Sequence, residues 1–201
     1  MGAKGGSIPY QKIEYLESNP SNKIQVYRSG QVINLFTPTI EDEVVVVFSP
    51  VDTSLFCFFG SRSDNVLRFC CTTFSDGTQT AFAMTYNSWP NDRVNVVLNS
   101  IYTMAAKNGY YSINGVEYTS PFYTSSYNFT PFLMFACKDS YNDTVYSKIR
   151  CYSVVVKRSG NVIHDFIPVR IGTTGYLYDT VSGELFGNAG IGDFTLGPDV
   201  N

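Results

Sequence analysis

Short stretches in which apolar and polar residues alternate, dominated by Val, Ile, Tyr, Phe and Thr, follow one another along nearly the whole chain. A two-residue period puts successive side chains on opposite faces of a strand, so each stretch predicts a strand with one face toward a core. The predicted strands run over Lys23–Arg28, Gln31–Phe36, Glu43–Phe48, Leu55–Phe59, Val66–Thr72, Thr80–Tyr86, Arg93–Leu98, Gly109–Asn114, Phe132–Cys137, Lys148–Lys157, Val162–Ile167 and Tyr176–Asp179. Ser29-Gly30, Ser75-Asp76-Gly77, Asn108-Gly109, Asn114-Gly115, Ser159-Gly160-Asn161 and Ser182-Gly183 punctuate them, several at the spacing of hairpin turns. No apolar pattern of helical period competes, which argues against a parallel α/β sheet. The fold expected is all-β, an antiparallel β-sandwich or jelly roll, as a single domain over residues 1–201 with a Gly-rich arm over 1–9.

Composition sharpens this picture. The 201 residues are 44% hydrophobic and 15% aromatic, with 15 Tyr and 15 Phe, and only 15% charged, which excludes a disordered chain. Lys and Arg number 14 against 17 Asp and Glu, so the net charge of −3 removes nucleic acid as an expected partner. No apolar run approaches the roughly 18 residues of a membrane span, and the opening Met1-Gly-Ala-Lys-Gly-Gly-Ser-Ile-Pro9 has no apolar leader core. Membrane insertion and a standard secretion signal are therefore not expected, and Ser7 lies one position too late for a myristoylation motif. The five cysteines, Cys57, Cys70, Cys71, Cys137 and Cys151, are odd in number, form no C-x-x-C and sit in apolar stretches, as reduced core thiols do. Without a leader, the sequons at Asn128 and Asn142 carry no expectation of glycosylation. The Gly-rich arm has little to order it, so it is expected to dock, through Lys4, Ile8, Pro9 and Tyr10, on a larger assembly or on the domain's own sheet.

From Lys148 onward the residues become specific: Lys148-Ile-Arg-Cys-Tyr-Ser, Asp165-Phe-Ile-Pro-Val-Arg170, Gly175-Tyr-Leu-Tyr-Asp179, Ser182-Gly-Glu-Leu-Phe-Gly-Asn-Ala-Gly190 and Gly192-Asp-Phe. Weaker echoes precede them in Glu14-Tyr-Leu-Glu-Ser18, Phe59-Gly-Ser-Arg62, Tyr111-Ser-Ile-Asn-Gly115 and Phe132-Leu-Met-Phe-Ala136. Together they resemble the LamG-like, concanavalin A-like jelly-roll modules of surface and virion proteins from gut bacteria and their tailed phages. After Glu17-Ser18 the family's usual strand is replaced by Asn19-Pro20-Ser-Asn-Lys-Ile-Gln-Val, so the first strands are expected to pair differently. In the C-terminal motif Asp179 is placed to accept backbone N–H groups and Gly183 to take positive φ in a hairpin. Pro168 places its stretch at a strand edge or end, and Arg170 is expected to pair with Asp165 or Asp179.

Candidate chemistry is sparse. His164 is the only histidine, which excludes a multi-histidine metal site; Asp165 beside it is a candidate to orient its ring, but no nucleophile-elbow motif accompanies it. Glu41-Asp42-Glu43 is the one dense acidic cluster; on a strand Glu41 and Glu43 share a face, yet the alternating carboxylate pattern of jelly-roll glucanases is missing. A charged gatekeeper before Val44–Phe48 explains the cluster equally well. The Gly187–Gly192 run lacks a following helix and a lysine, so it reads as a turn and not a phosphate loop. Asp139, Asn142 and Asp143 offer hard oxygens in a loop, and the resemblance implies calcium as the ion such a loop would hold; otherwise no cofactor is expected. Trp89, flanked by Asn87 and Asn91 and aided by Tyr123 and Tyr127, is the candidate sugar platform. No catalytic residue is nominated. The resemblance and the missing constellations lead to a non-catalytic structural protein of a virion, made in the host cytoplasm, with other virion proteins, copies of itself and glycans as partners. The alternative is a carbohydrate-binding lectin at a bacterial cell surface.

Overall fold

The structure is a computed structural model that describes residues 10–23, 27–52, 58–62, 67–75, 80–86, 94–95, 97–119, 129–138 and 143–201, with backbone alone at 22–23, 62, 67–75, 80–86 and 94–95. Among these residues there is no helix, and every strand pairing is antiparallel, so the chain is an all-β sandwich. The central strand of the larger sheet is Asp42–Pro50, flanked on one side by Tyr102–Lys107 and on the other by Ile149–Arg158. Its Val44, Val46 and Phe48 are buried while Val45 and Val47 are half-buried, the alternation that the sequence announces. Outward from there the sheet continues through Tyr110–Ile113 and Val116–Thr119 on one side, and through Asn161–Ile171, Thr174–Asp179 and Leu185–Phe186 on the other. The second sheet orders Val94–Asn95, Thr80–Tyr86, Leu67–Ser75, Phe59–Arg62, Leu133–Met134 and Ile33–Asn34. A third, of four strands, orders Ala136–Lys138, Thr144–Tyr146, Tyr27–Ser29 and Ser21–Lys23.

The core fills the space between the two larger sheets. Phe48, Val154, Val156 and Phe166 from one face meet Ile33, Phe59 and Met134 from the other, with Phe132 between them. Aromatic rings do much of the filling: Phe48 meets Phe59 edge-on at 5.0 Å, and Phe36 stacks on Phe132 at 5.2 Å. In Ile149–Arg158, Cys151 and Val154 both point inward although they are three residues apart. A bulge between Cys151 and Ser153, opposite Phe48 and Val47, absorbs the extra residue.

Two predicted strands are divided in the structure. Over Lys23–Arg28, Ser21–Lys23 and Tyr27–Ser29 instead pair with each other, Tyr27 being drawn inward where its hydroxyl bonds Asp52. Phe132–Cys137 is broken at Phe135, whose φ of 73° is rare for an aromatic residue; the reversal sends Leu133–Met134 into the second sheet and Ala136–Lys138 into the third. Phe135 is fully buried against Phe194, rings 4.8 Å apart, so packing holds the strained backbone. Pro168 lies within the sheet and not at its edge. Its carbonyl accepts from Ile13 N–H on the side where the Ile149–Arg158 ladder has already ended at Val154–Phe166, so the missing N–H faces the short Gln11–Lys12 strand. The Asn114-Gly115 and Ser159-Gly160 pairs all have positive φ, as two-residue hairpin turns require.

The C-terminal segment straps back across the N-terminal one. Ala189 and Ile191 donate backbone hydrogen bonds to Val32 and Gly30, Asn188 Oδ1 accepts from Val32 N–H at 3.0 Å, and Gly197 and Val200 bond Tyr15 and Lys12. Gly190 sits so close that a Cβ there would lie 2.1 Å from the Gly30 carbonyl oxygen, which admits no other residue without backbone movement.

Ion pairs fasten the ends of ladders. Asp42, fully buried, accepts from Arg158 Nε at 2.8 Å and Nη2 at 3.1 Å and from Thr39 N–H at 2.8 Å. Arg170 pairs with Asp199 and not with Asp165 or Asp179, because it stands at the end of the strand beside the returning C-terminus. Removing a partner from a buried carboxylate costs far more than removing one from an exposed pair. Arg158→Met is expected to lower unfolding free energy by about 2 kcal/mol, discounted for the solvent that reaches the guanidinium. Arg170→Met should shift the denaturant midpoint less; equal shifts would contradict the assignment.

Cys137 and Cys151 are free and buried, and burial pushes the Cys151 thiol up from its ordinary value. Cys57 lies outside the described residues, as do the side chains of Cys70 and Cys71. Differential alkylation followed by peptide mapping should label Cys137 and Cys151 only as fast as the protein unfolds. Labelling of either in the folded protein would contradict this burial.

Candidate functional site

His164 and Phe166, two apart on one strand, face the same way, and the His164 ring stacks 5.4 Å from Phe166 and 5.6 Å from Phe36. Its Nδ1 lies 2.8 Å from Oδ2 of Asp179, not against Asp165, since adjacent residues on a strand point to opposite faces. Asp165 instead accepts from the Thr180 hydroxyl at 3.0 Å. Asp179 is fully buried, and its Oδ1 accepts from the N–H groups of Asp165 at 2.9 Å and Val181 at 3.1 Å. Gly183, with φ of 80°, closes the turn by donating to the Asp179 carbonyl. The carboxylate thus organises a hairpin, and among the described residues nothing hydrogen-bonds His164 Nε2.

The acidic cluster is spent in the same way. The strand begins at Asp42, so Glu41 lies in the preceding turn and does not share a strand face with Glu43. Glu43 is half-buried opposite Lys157, and Asp42 belongs to Arg158. The Gly187–Gly192 run is a turn whose Asn188 also donates to the Gly192 carbonyl at 2.7 Å.

An open groove of about 350 Å³ lies where the second and third sheets meet beside this strap. Its floor is a small apolar cluster separate from the main core, formed by Val32 and Leu133 with Ala136, against which Tyr146 packs. The pleat explains the lining: Ile33 and Met134 point into the core, so their cross-strand-paired neighbours Asn34 and Leu133 point out into the groove. Thr130 and Pro131 border it on one side, Lys138, Thr144 and Tyr146 on another, and Ala189 of the strap closes the rim. Lys138 Nζ donates to Thr144 Oγ1 at 2.8 Å, across the paired residues Lys138 and Thr144. Among the described residues no carboxylate pairs with this amine. Chemically the groove offers an apolar patch, an aromatic ring, an amide, three hydroxyls and one ammonium, a set suited to binding and orientation.

Of the residues nominated from sequence, Trp89, Asn87, Asn91, Tyr123, Tyr127, Asp139, Asn142, Lys4, Ile8 and Pro9 lie outside the described residues. Asp143 is exposed, 3.9 Å from Arg28, and next to Thr144 of the groove. The described residues contain no group of three His, Cys, Asp or Glu side chains placed to hold a metal ion. Tyr10 is half-buried, its ring edge-on to Tyr178 of its own chain at 5.4 Å. In the sequence the acids between Lys138 and Thr144 stand out more than the strand stems beside them, although the Lys, Thr and Tyr of those stems are the signal that leads to the groove. Comparison with protein-family models, curated proteins and solved structures returns no match.

Burial alone would raise the Asp179 carboxyl, but hydrogen bonds from Asp165 N–H, His164, Ser182 and Val181 N–H outweigh it and hold the carboxyl below its usual range. A carboxyl lowered by folding contributes stability that is fully present above its unfolded value of about 3.9 and is lost as pH falls through the folded one. Asp179→Asn is therefore expected to unfold at lower urea than wild type near neutrality. The gap should narrow as pH falls below about 4, and a gap independent of pH would contradict the charge assignment.

Proposed function

We propose that this chain is a non-catalytic structural and adhesive module of a tailed-phage virion, with a LamG-like jelly-roll fold, that engages glycans weakly through the groove over Val32 and Leu133. The observation that carries the reading is the lining of that groove. Pyranose rings present one apolar face and a rim of hydroxyls, and Tyr146 with Leu133 matches the first while Asn34, Thr130 and Thr144 match the second. A volume of about 350 Å³ is at the small end for ligand pockets and suits one or two sugar rings. So small a site binds weakly on its own and becomes useful through many copies displayed together, as on a particle surface. The virion setting rests on the resemblance that begins at Lys148, and it makes other virion proteins and further copies of this chain the partners.

The test is attachment by a multivalent display of the protein to glycan arrays and bacterial cells. The paired change Asn34→Ala and Tyr146→Ala is expected to lower attachment at least tenfold, since loss compounds over copies, while the folded spectrum remains. Undiminished attachment by a folded variant would remove the groove from the function.

A further inference from the structure

Resting on the reading of the groove as a saccharide site, we propose that its preferred ligand is a carboxylated sugar, of the uronic-acid class, whose carboxylate is received by Lys138. The groove would otherwise serve neutral sugars well enough: the apolar floor of Val32 and Leu133, the Tyr146 ring and the Asn34 amide need no charge on the ligand. An ammonium in such a place calls for a reason. Lys138 ends the Ala136–Lys138 strand, half-buried, and its amine is fixed by Thr144 Oγ1 at 2.8 Å instead of extending into solvent. That bond uses one of the three ammonium protons, and two remain to donate. Asp143, the carboxylate nearest to Lys138 along the described chain, stands 3.9 Å from Arg28.

The arrangement therefore presents a held, half-desolvated cation beside an apolar and aromatic surface. A carboxylate attached to a pyranose ring is the ligand that uses both at once. Bonds to a charged acceptor are stronger than those to a hydroxyl, and at a half-buried site salt weakens that difference without removing it. Because the whole chain is acidic, with a net charge of −3, general attraction of anions does not supply this preference.

The experiment compares methyl glucuronide with methyl glucoside, and methyl galacturonide with methyl galactoside, by ligand-observed magnetic resonance titration of the full chain. Within each pair the ring is the same and only the carbon-6 group changes. The uronide that binds is expected to do so about tenfold more tightly than its neutral counterpart, with the preference shrinking as salt rises. Lys138→Gln should abolish the preference, the uronide and its neutral counterpart then binding within about twofold of each other, with an unaltered melting curve showing that the variant is folded. Equal binding of both members of each pair, or a preference that survives Lys138→Gln, overturns the assignment to Lys138 while leaving the saccharide reading in place. Binding by none of the four overturns both.

Discussion

The register between Asp42–Pro50 and Ile149–Arg158 is the constraint on which the rest depends. The two strands are joined over nine positions of paired residues, from Ile149↔Pro50 to Arg158↔Asp42, and each inward residue of one lies beside an inward residue of the other. A slip of one residue would turn Val44, Val46 and Phe48 to the outside and bring half-buried neighbours in. Asp42 makes the slip costlier still, because its buried carboxylate meets Arg158 only in the native alignment. The neighbouring ladders inherit this alignment: Tyr102–Lys107 aligns on one edge of the central strand, and Asn161–Ile171 on the far edge of its partner.

Much of this was legible in the sequence where a strand is long and its two faces differ. Thr80–Tyr86 is found as read, and the Val-rich run before Phe48 and the Ile149–Arg158 strand differ from expectation only at their ends. Two alanines and a lysine give Tyr102–Lys107 little β character in the sequence, yet Tyr102, Met104 and Ala106 alternate inward as clearly as any valine. The segments Leu16–Glu17, Leu185–Phe186 and Thr195–Leu196 are too short to show a period at all, and they exist because a longer neighbour offers an edge. Phe135 could not be anticipated, since aromatic residues rarely take positive φ and only the burial of its ring against Phe194 sustains it.

The groove was illegible for a related reason. Its walls come from residues near 32, 130, 138, 144–146 and 189, which no local pattern links, and the strap that closes the rim is positioned by hydrogen bonds to Gly30 and Val32. Conversely, the residues that looked most like chemistry are consumed by architecture: Asp179 and His164 set a hairpin, Asp42 closes a ladder, and Arg170 reaches the C-terminal segment. Each buried carboxylate among the described residues is answered by a partner: Glu17 by Arg150, Asp42 by Arg158 and Asp179 by His164.

The return of the C-terminal strap onto residues 12–32 sets the order in which this protein can be made. Ile13 bridges Asp199, and the carbonyls of Gly30 and Val32 accept from the N–H groups of Ile191 and Ala189. While the chain is still emerging from the ribosome, Gln11–Lys12, Leu16–Glu17 and Ile33–Asn34 therefore have no edge to join, and the central strand lacks the Ile149–Arg158 partner that follows about a hundred residues later. Folding on this plan waits for synthesis of the last strands, and until then the apolar run Val44–Phe48 is the segment that most needs shielding.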